Sequence, residues 1–146
     1  MRSSFPIAAA LAIGLAVAAT WPAAVRPDTL VGHWDNGDCL GNHWLLVWVA
    51  ERLASGQDLV HNTSYYWPWG DDPVVAGNGL EGVFYLPFHL LLPWPVSSTA
   101  YILVLLVANG LAGWWAARQW GASPPAALVA IPAWGVSPYV LQELGS

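Results

Sequence analysis

The chain has 146 residues, of which 56% are hydrophobic and only 9% are charged, and its formal net charge is -5. A soluble domain carries about 25% charged residues, so this composition argues against an ordinary globular surface and favours lipid as the solvent. The chain has no Lys and no basic cluster, which argues against a nucleic-acid partner, and its single Cys39 excludes an internal disulfide.

The first predicted element is the apolar run 5–24, which contains no charged residue and no His. About 20 such residues cross a bilayer as a helix, because backbone polar groups in lipid must be satisfied within the segment. A cleaved signal peptide would suit the small residues at 16–18. An uncleaved span suits the length better, since the apolar core of a signal peptide is usually shorter. We therefore predict a first transmembrane helix, a signal anchor, within 1–25.

The long segment 26–98 holds six of the eleven Trp residues and every acidic residue except Glu143. Apolar residues recur at helical spacing after Asp38, which predicts an amphipathic helix over 39–55. This helix is too short and too polar to span, and its pattern is typical of a helix that lies in the membrane interface.

A second apolar stretch of this segment, 80–95, is interrupted by Pro87 and Pro93. Apolar stretches of this length favour a re-entrant or interfacial segment over a full span.

Two further charge-free runs, 99–117 and 126–141, predict the second and third spans, the third lying within 124–142. The predicted fold class is therefore an all-α integral membrane protein. It has three transmembrane helices and an external loop, which carries the interfacial amphipathic helix and the short Pro-broken apolar segment. Because the sequence stops directly after an apolar run, we expect an amino-terminal fragment of a longer protein.

The orientation depends on few charges. Arg118 beyond the second span, together with the length and acidity of 26–98, favours an external position for this loop. Arg26 and Arg52 count against that orientation. We predict a periplasmic or extracellular loop.

Two carboxylates, Asp35 and Asp38, lie about ten residues beyond the first apolar run and are the candidate catalytic residues. They could bind a divalent cation such as Mg²⁺ or Mn²⁺, or one could act as a general base on a hydroxyl acceptor. The alternative is structural, because Asp is a preferred cap and turn residue, and spacing alone favours that alternative. The pair Asp71 and Asp72 has the composition of a turn.

Aromatic residues offer candidate substrate contacts. Trp67 and Trp69 could stack on a sugar ring or could lie at the level of lipid headgroups, and the sequence does not separate these roles. His43 lies among Trp residues on the predicted helix. No other His has ligand spacing to it, so we interpret it as structural or solvated, and among substrate contacts it is the third candidate.

Several features follow one another in an order that resembles a known superfamily. They are Gly37-Asp38 soon after a span, Trp44-Leu45-Leu46-Val47-Trp48 on a helix, Tyr66-Trp67-Pro68-Trp69-Gly70, Asn78-Gly79 before the Pro-broken stretch, Tyr101 opening a span that closes with Ala117-Arg118, and Ser137-Pro138-Tyr139. Over 30–146 this order resembles the amino-terminal part of bacterial multi-spanning glycosyltransferases of the GT-C superfamily.

The resemblance implies an enzyme of the bacterial inner membrane that moves a sugar from a polyprenyl-phosphate donor on the outer face. An acidic residue in the first external loop would act as base or through a metal. Asp38 matches that position best and Asp35 second. The implied partners are the bilayer and the lipid-linked donor. The chain lacks the later spans that complete the donor pocket, so we do not expect activity from this segment alone. The alternative is a non-enzymatic small membrane protein, or a transporter or accessory-subunit fragment, whose loop only packs.

Overall fold

A computed structural model describes residues 4–26, 29–32, 37–62, 72–73 and 79–145. These residues form helices, the turns between them and one short antiparallel pairing, so the prediction of an all-α chain is confirmed. The elements are α1 (Phe5–Ala19), α2 (Gly37–Ser55), β1 (His61–Asn62), β2 (Asp72–Pro73), α3 (Gly79–Leu91), α4 (Val96–Gln119), α5 (Pro124–Leu128), α6 (Ala130–Gly135) and α7 (Pro138–Gly145). The pairing of β1 with β2 sets His61 opposite Pro73.

Two helical stretches among the described residues are long and apolar enough to cross a membrane by length and composition. They are α4 and the stretch Pro124–Leu141, and they coincide with the second and third predicted spans. The first apolar run is helical over only 15 residues. At 1.5 Å per residue that is about 22 Å, less than the roughly 30 Å of a hydrocarbon core. The helix ends at Ala19 because Pro22 has no N–H and restricts the residue before it.

Proline also divides the third apolar run. The stretch Pro124–Leu141 is not one continuous helix but contains α5, α6 and the start of α7. Pro132 and Pro138 lack the N–H that an uninterrupted helix would bond to the carbonyl four residues earlier. Ser hydroxyls cap the new helix starts. The Ser123 Oγ accepts from the Ala126 N–H at 3.4 Å, and the Ser137 Oγ accepts from the Val140 N–H at 3.3 Å.

The helices α1, α4 and α6 pack through their smallest residues. A Cβ added to Gly110 of α4 would lie 3.0 Å from the Ile131 Cγ2 and 3.6 Å from the Ala12 Cβ. A Cβ added to Gly135 of α6 would lie 3.0 Å from the Gly110 Cα. Such close backbone approach through Gly and Ala is typical of helices packed in membranes, where larger side chains would separate the axes.

A second group of packed side chains joins α2, α3 and α4. Its buried members are Leu46, Ala50, Tyr85 and Tyr101. The rings of Tyr85 and Tyr101 meet edge-on with centroids 5.5 Å apart. The segment 80–95, predicted as Pro-broken, is therefore largely the helix α3, which lies against α2 and keeps Pro87 inside it.

Candidate functional site

The predicted site residues fall mostly outside the described part of the chain. Asp38 is the second residue of α2, so its backbone lies in the first helical turn. The side chain of Asp38 lies outside the described residues, as do Asp35, Trp67 and Trp69. Because α2 begins at Gly37, Asp38 lies inside the helix and not at the cap position that the sequence favoured for it.

His43 is the predicted site residue that the structure describes in full. It lies on α2 and is only 5% exposed, so the solvated interpretation is wrong. Its Nε2 lies 2.9 Å from the Val31 carbonyl oxygen. Since a carbonyl only accepts, Nε2 is the donor of this hydrogen bond. Nδ1 is buried and has no hydrogen-bond partner within the described part of the chain.

Two side chains from different helices hold the loop 29–32 in place. His43 of α2 donates to the Val31 carbonyl, and the Thr99 Oγ1 of α4 donates to the Thr29 carbonyl at 3.0 Å. These bonds attach 29–32, the described residues that precede the acidic segment in the sequence, to the second turn of α2 and to the first turn of α4.

Buried hydroxyl groups lie at the start of α4. The Tyr85 hydroxyl is 2.7 Å from the Ser97 Oγ and 3.4 Å from the Ser98 Oγ, and all three residues are fully buried. The Tyr101 hydroxyl donates to the Glu81 carbonyl at 3.4 Å. These hydrogen bonds join α3, which carries Tyr85, to α4. They fix the two helices relative to each other, since breaking one bond would leave a buried polar group unpaired. The three consecutive hydroxyl-bearing residues at 97–99 are visible in the sequence, but they were not among the predicted site residues.

A separate polar turn follows α2. The Asp58 carboxylate accepts from the Val60 N–H at 2.8 Å and the His61 N–H at 3.2 Å, and it also contacts the His61 imidazole. The hydrogen bond from the Val60 N–H is the main cause that lowers the pKa of Asp58 below its ordinary value of 3.8, and the hydrogen bond with the His61 side chain is the second. This is a hydrogen-bonded Asp turn, which is a structural use of both residues.

A metal centre is not visible in the described part of the chain. No group of three or more His, Cys, Asp or Glu residues in that part could hold a metal ion. The predicted Mg²⁺ or Mn²⁺ site would involve Asp35 and Asp38, whose side chains lie outside it, so that site stays a prediction.

Comparison of the chain with protein-family models, with curated proteins and with solved structures gave no match in any of the three. Function has therefore to be inferred from the residues and their contacts.

Proposed function

We propose that this chain is a membrane protein with three transmembrane segments, formed by 5–24, by 99–117 within α4 and by Pro124–Leu141, and that 26–98 lies on the outer side of a bacterial inner membrane. The length and apolar character of the two longer stretches support this proposal. The short α1 would complete its crossing with the turns at 20–25, in which the Ala24 N–H donates to the Thr20 carbonyl.

The distribution of side-chain size across the bundle supports a lipid environment. The buried residues of α1 are Ala8, Ala12 and Ala16, all on one face of the helix. Large apolar residues of the same helix point outward, and Ile7 and Ile13 are 60% and 53% exposed. A water-soluble helix shows the reverse, with its large apolar residues inside, because burying them gives most of the hydrophobic stabilisation. In lipid, large apolar side chains need not be buried inside the protein. Close packing between helices then favours small residues where the helices touch.

For a protein of this topology we propose transfer of a sugar from a polyprenyl-phosphate donor, with Asp38 as the general base. The Asp38 carboxylate would take the proton of the acceptor hydroxyl. The hydroxyl oxygen of the acceptor would then bond to the anomeric carbon of the sugar. The bond from that carbon to the phosphate oxygen would break, and polyprenyl phosphate would leave. Asp35 would either assist the base or share a divalent cation with Asp38.

The anchored loop 29–32 is the observation that carries this proposal. A catalytic carboxylate must be held within hydrogen-bond reach of its substrate, so its supporting backbone has to be fixed. Bonds from His43 and Thr99 provide that support at the start of α4, the end of the span next to the proposed outer surface. A donor whose tail lies in the bilayer would present its phosphate at this level. Trp67 and Trp69 are proposed to stack on the sugar.

The test is a transfer assay on the product of the complete reading frame, in membrane vesicles supplied with radiolabelled polyprenyl-phosphate sugars. We expect label to move to a water-soluble or lipid-linked acceptor. Loss of transfer on adding a chelator, with recovery on adding Mg²⁺ or Mn²⁺, would assign the carboxylates to a metal, and chelator-resistant transfer would assign Asp38 as base. Absence of transfer from every polyprenyl-phosphate sugar would contradict the enzymatic proposal.

The second candidate is a non-enzymatic membrane subunit. It is favoured by the described polar groups around the loop, since His43, Tyr85 and Thr99 all bond to other parts of the chain. Such a loop would only pack, and the transfer assay distinguishes the two.

A further inference from the structure

Two buried N–H donors near the C-terminal end of α4 have no partner within the described residues. Trp114 is 4% exposed, and neither its indole Nε1–H nor the Nε–H of Arg118 meets an acceptor there. The two residues are four apart, so their side chains lie on the same face of the helix. Buried donors are nearly always hydrogen-bonded, and two orphaned donors on one face indicate a missing acceptor.

The positive charge of Arg118 also lacks a carboxylate partner in this part of the structure. Its Nη1 donates to the carbonyl of Ala122, which is a neutral acceptor. The described elements packed against α4 at this end, α1, α5 and α6, contain no Asp and no Glu. A partly buried guanidinium without a counter-ion is costly, because it has lost part of its hydration without gaining a compensating charge. The missing acceptor is therefore expected to be an anion.

The first turn of α1 lies against Trp114. The Phe5 ring contacts the Trp114 ring edge-on, with centroids 6.0 Å apart. Ser4 at the start of α1 forms no side-chain cap hydrogen bond to the first amides of that helix. A helix start carries a partial positive charge, although Pro6 in this turn has no N–H to donate.

We propose that Trp114 and Arg118 form a binding site for a phosphate oxyanion at the C-terminal end of α4. Arginine forms short charge-assisted hydrogen bonds to phosphate, and an indole N–H can only donate. The phosphate belongs either to the headgroup of an anionic membrane lipid or to soluble phosphate. The site does not depend on sugar transfer, and it lies at the other end of α4 from Thr99, which bonds to the loop 29–32.

The experiment uses the complete chain purified in a neutral maltoside detergent. It is titrated separately with phosphatidylglycerol, with diacylglycerol of the same acyl chains and with inorganic phosphate. Apparent affinity is obtained from the rise in the thermal unfolding midpoint, followed by circular dichroism. We expect phosphatidylglycerol to bind and diacylglycerol, which lacks the phosphate, not to bind. Arg118→Gln should weaken binding roughly tenfold or more, and Trp114→Phe, which keeps an aromatic ring but removes the donor, about threefold.

Matched variants control for non-specific effects. Trp115→Phe changes the exposed neighbour of Trp114, and Arg52→Gln removes an arginine that stacks on Trp48 of α2. Both should bind like the wild type. Should Arg118→Gln fail to fold, Trp114→Phe still tests the site.

Each outcome is decisive. Binding of inorganic phosphate, lost in the same two variants, without binding of the lipid would assign the site to soluble phosphate. Equal effects of phosphatidylglycerol and diacylglycerol, or equal phosphate and lipid binding by the wild type and both site variants, would overturn the proposal.

Discussion

Replacing Gly113 by Leu is expected to destabilise the helix bundle by about 3 kcal/mol, the upper end of the usual cost of overpacking. A Cβ at this position would lie 2.8 Å from the Trp134 Cβ and 3.0 Å from the Ala130 carbonyl oxygen. Neither neighbour is the free end of a flexible side chain, so relief requires α4 and α6 to separate. The free energy of unfolding would be measured in mixed micelles of mild detergent and dodecyl sulfate by circular dichroism.

Gly14→Leu is the matched control for this prediction. It makes the same substitution in α1, where a Cβ would meet nothing within 4 Å. Leu is a better helix former than Gly by roughly 0.8 kcal/mol, so this variant should be equal to the wild type or more stable. If both variants shifted the unfolding free energy in the same direction by similar amounts, the close contact between α4 and α6 would be wrong.

Asp38→Asn is expected to reduce sugar transfer by about 10²–10⁴-fold, the usual contribution of general acid–base catalysis. Asn has nearly the same size, and an exposed carboxylate in the first turn of a helix stabilises it by only about 0.3–1 kcal/mol, so insertion and folding should change little. It cannot accept a proton and is a poorer cation ligand, so either chemical role would be lost. The measurement is the vesicle assay with labelled donor, normalised to the amount of inserted protein.

Two further variants interpret that result. Asp35→Asn should have a smaller effect if Asp38 is the base and a comparable one if the two share a metal. Asp58→Asn is the control, because it neutralises a carboxylate of the same loop whose hydrogen bonds, within the described part of the chain, are to its own turn. Wild-type transfer by the Asp38→Asn protein would leave Asp38 with a structural role at the start of α2.

The helical stretches could be predicted from charge and hydropathy because lipid and packed helices both exclude charge over long runs. The run 99–117 lies inside α4, which extends over Val96–Gln119. Where a helix ends inside an apolar run was harder to predict. Pro22 and Pro132 interrupt helices in stretches that are apolar on both sides of the proline. Hydropathy alone therefore does not show where the helix ends.

The contacts around the candidate site were not predictable. His43 bonds to a carbonyl 12 residues away and Thr99 to one 70 residues away. A backbone carbonyl has no sequence signature, so nothing in the pattern identified these pairs. The small-residue face of α1 was also hidden. Ala8, Ala12 and Ala16 are spaced by four, but every neighbouring residue is apolar too, so no polar face marks the opposite side.

The most direct measurement of the membrane topology is labelling of Cys39, the only thiol of the chain, with a membrane-impermeant maleimide. Intact cells, permeabilised cells and denatured protein are compared, and the denatured sample shows the full extent of labelling. We expect Cys39 to react in intact cells, because α2 belongs to the segment 26–98 that we place on the outer side. Labelling that occurs only after the inner face of the membrane is opened would contradict that placement, and with it an external acidic site.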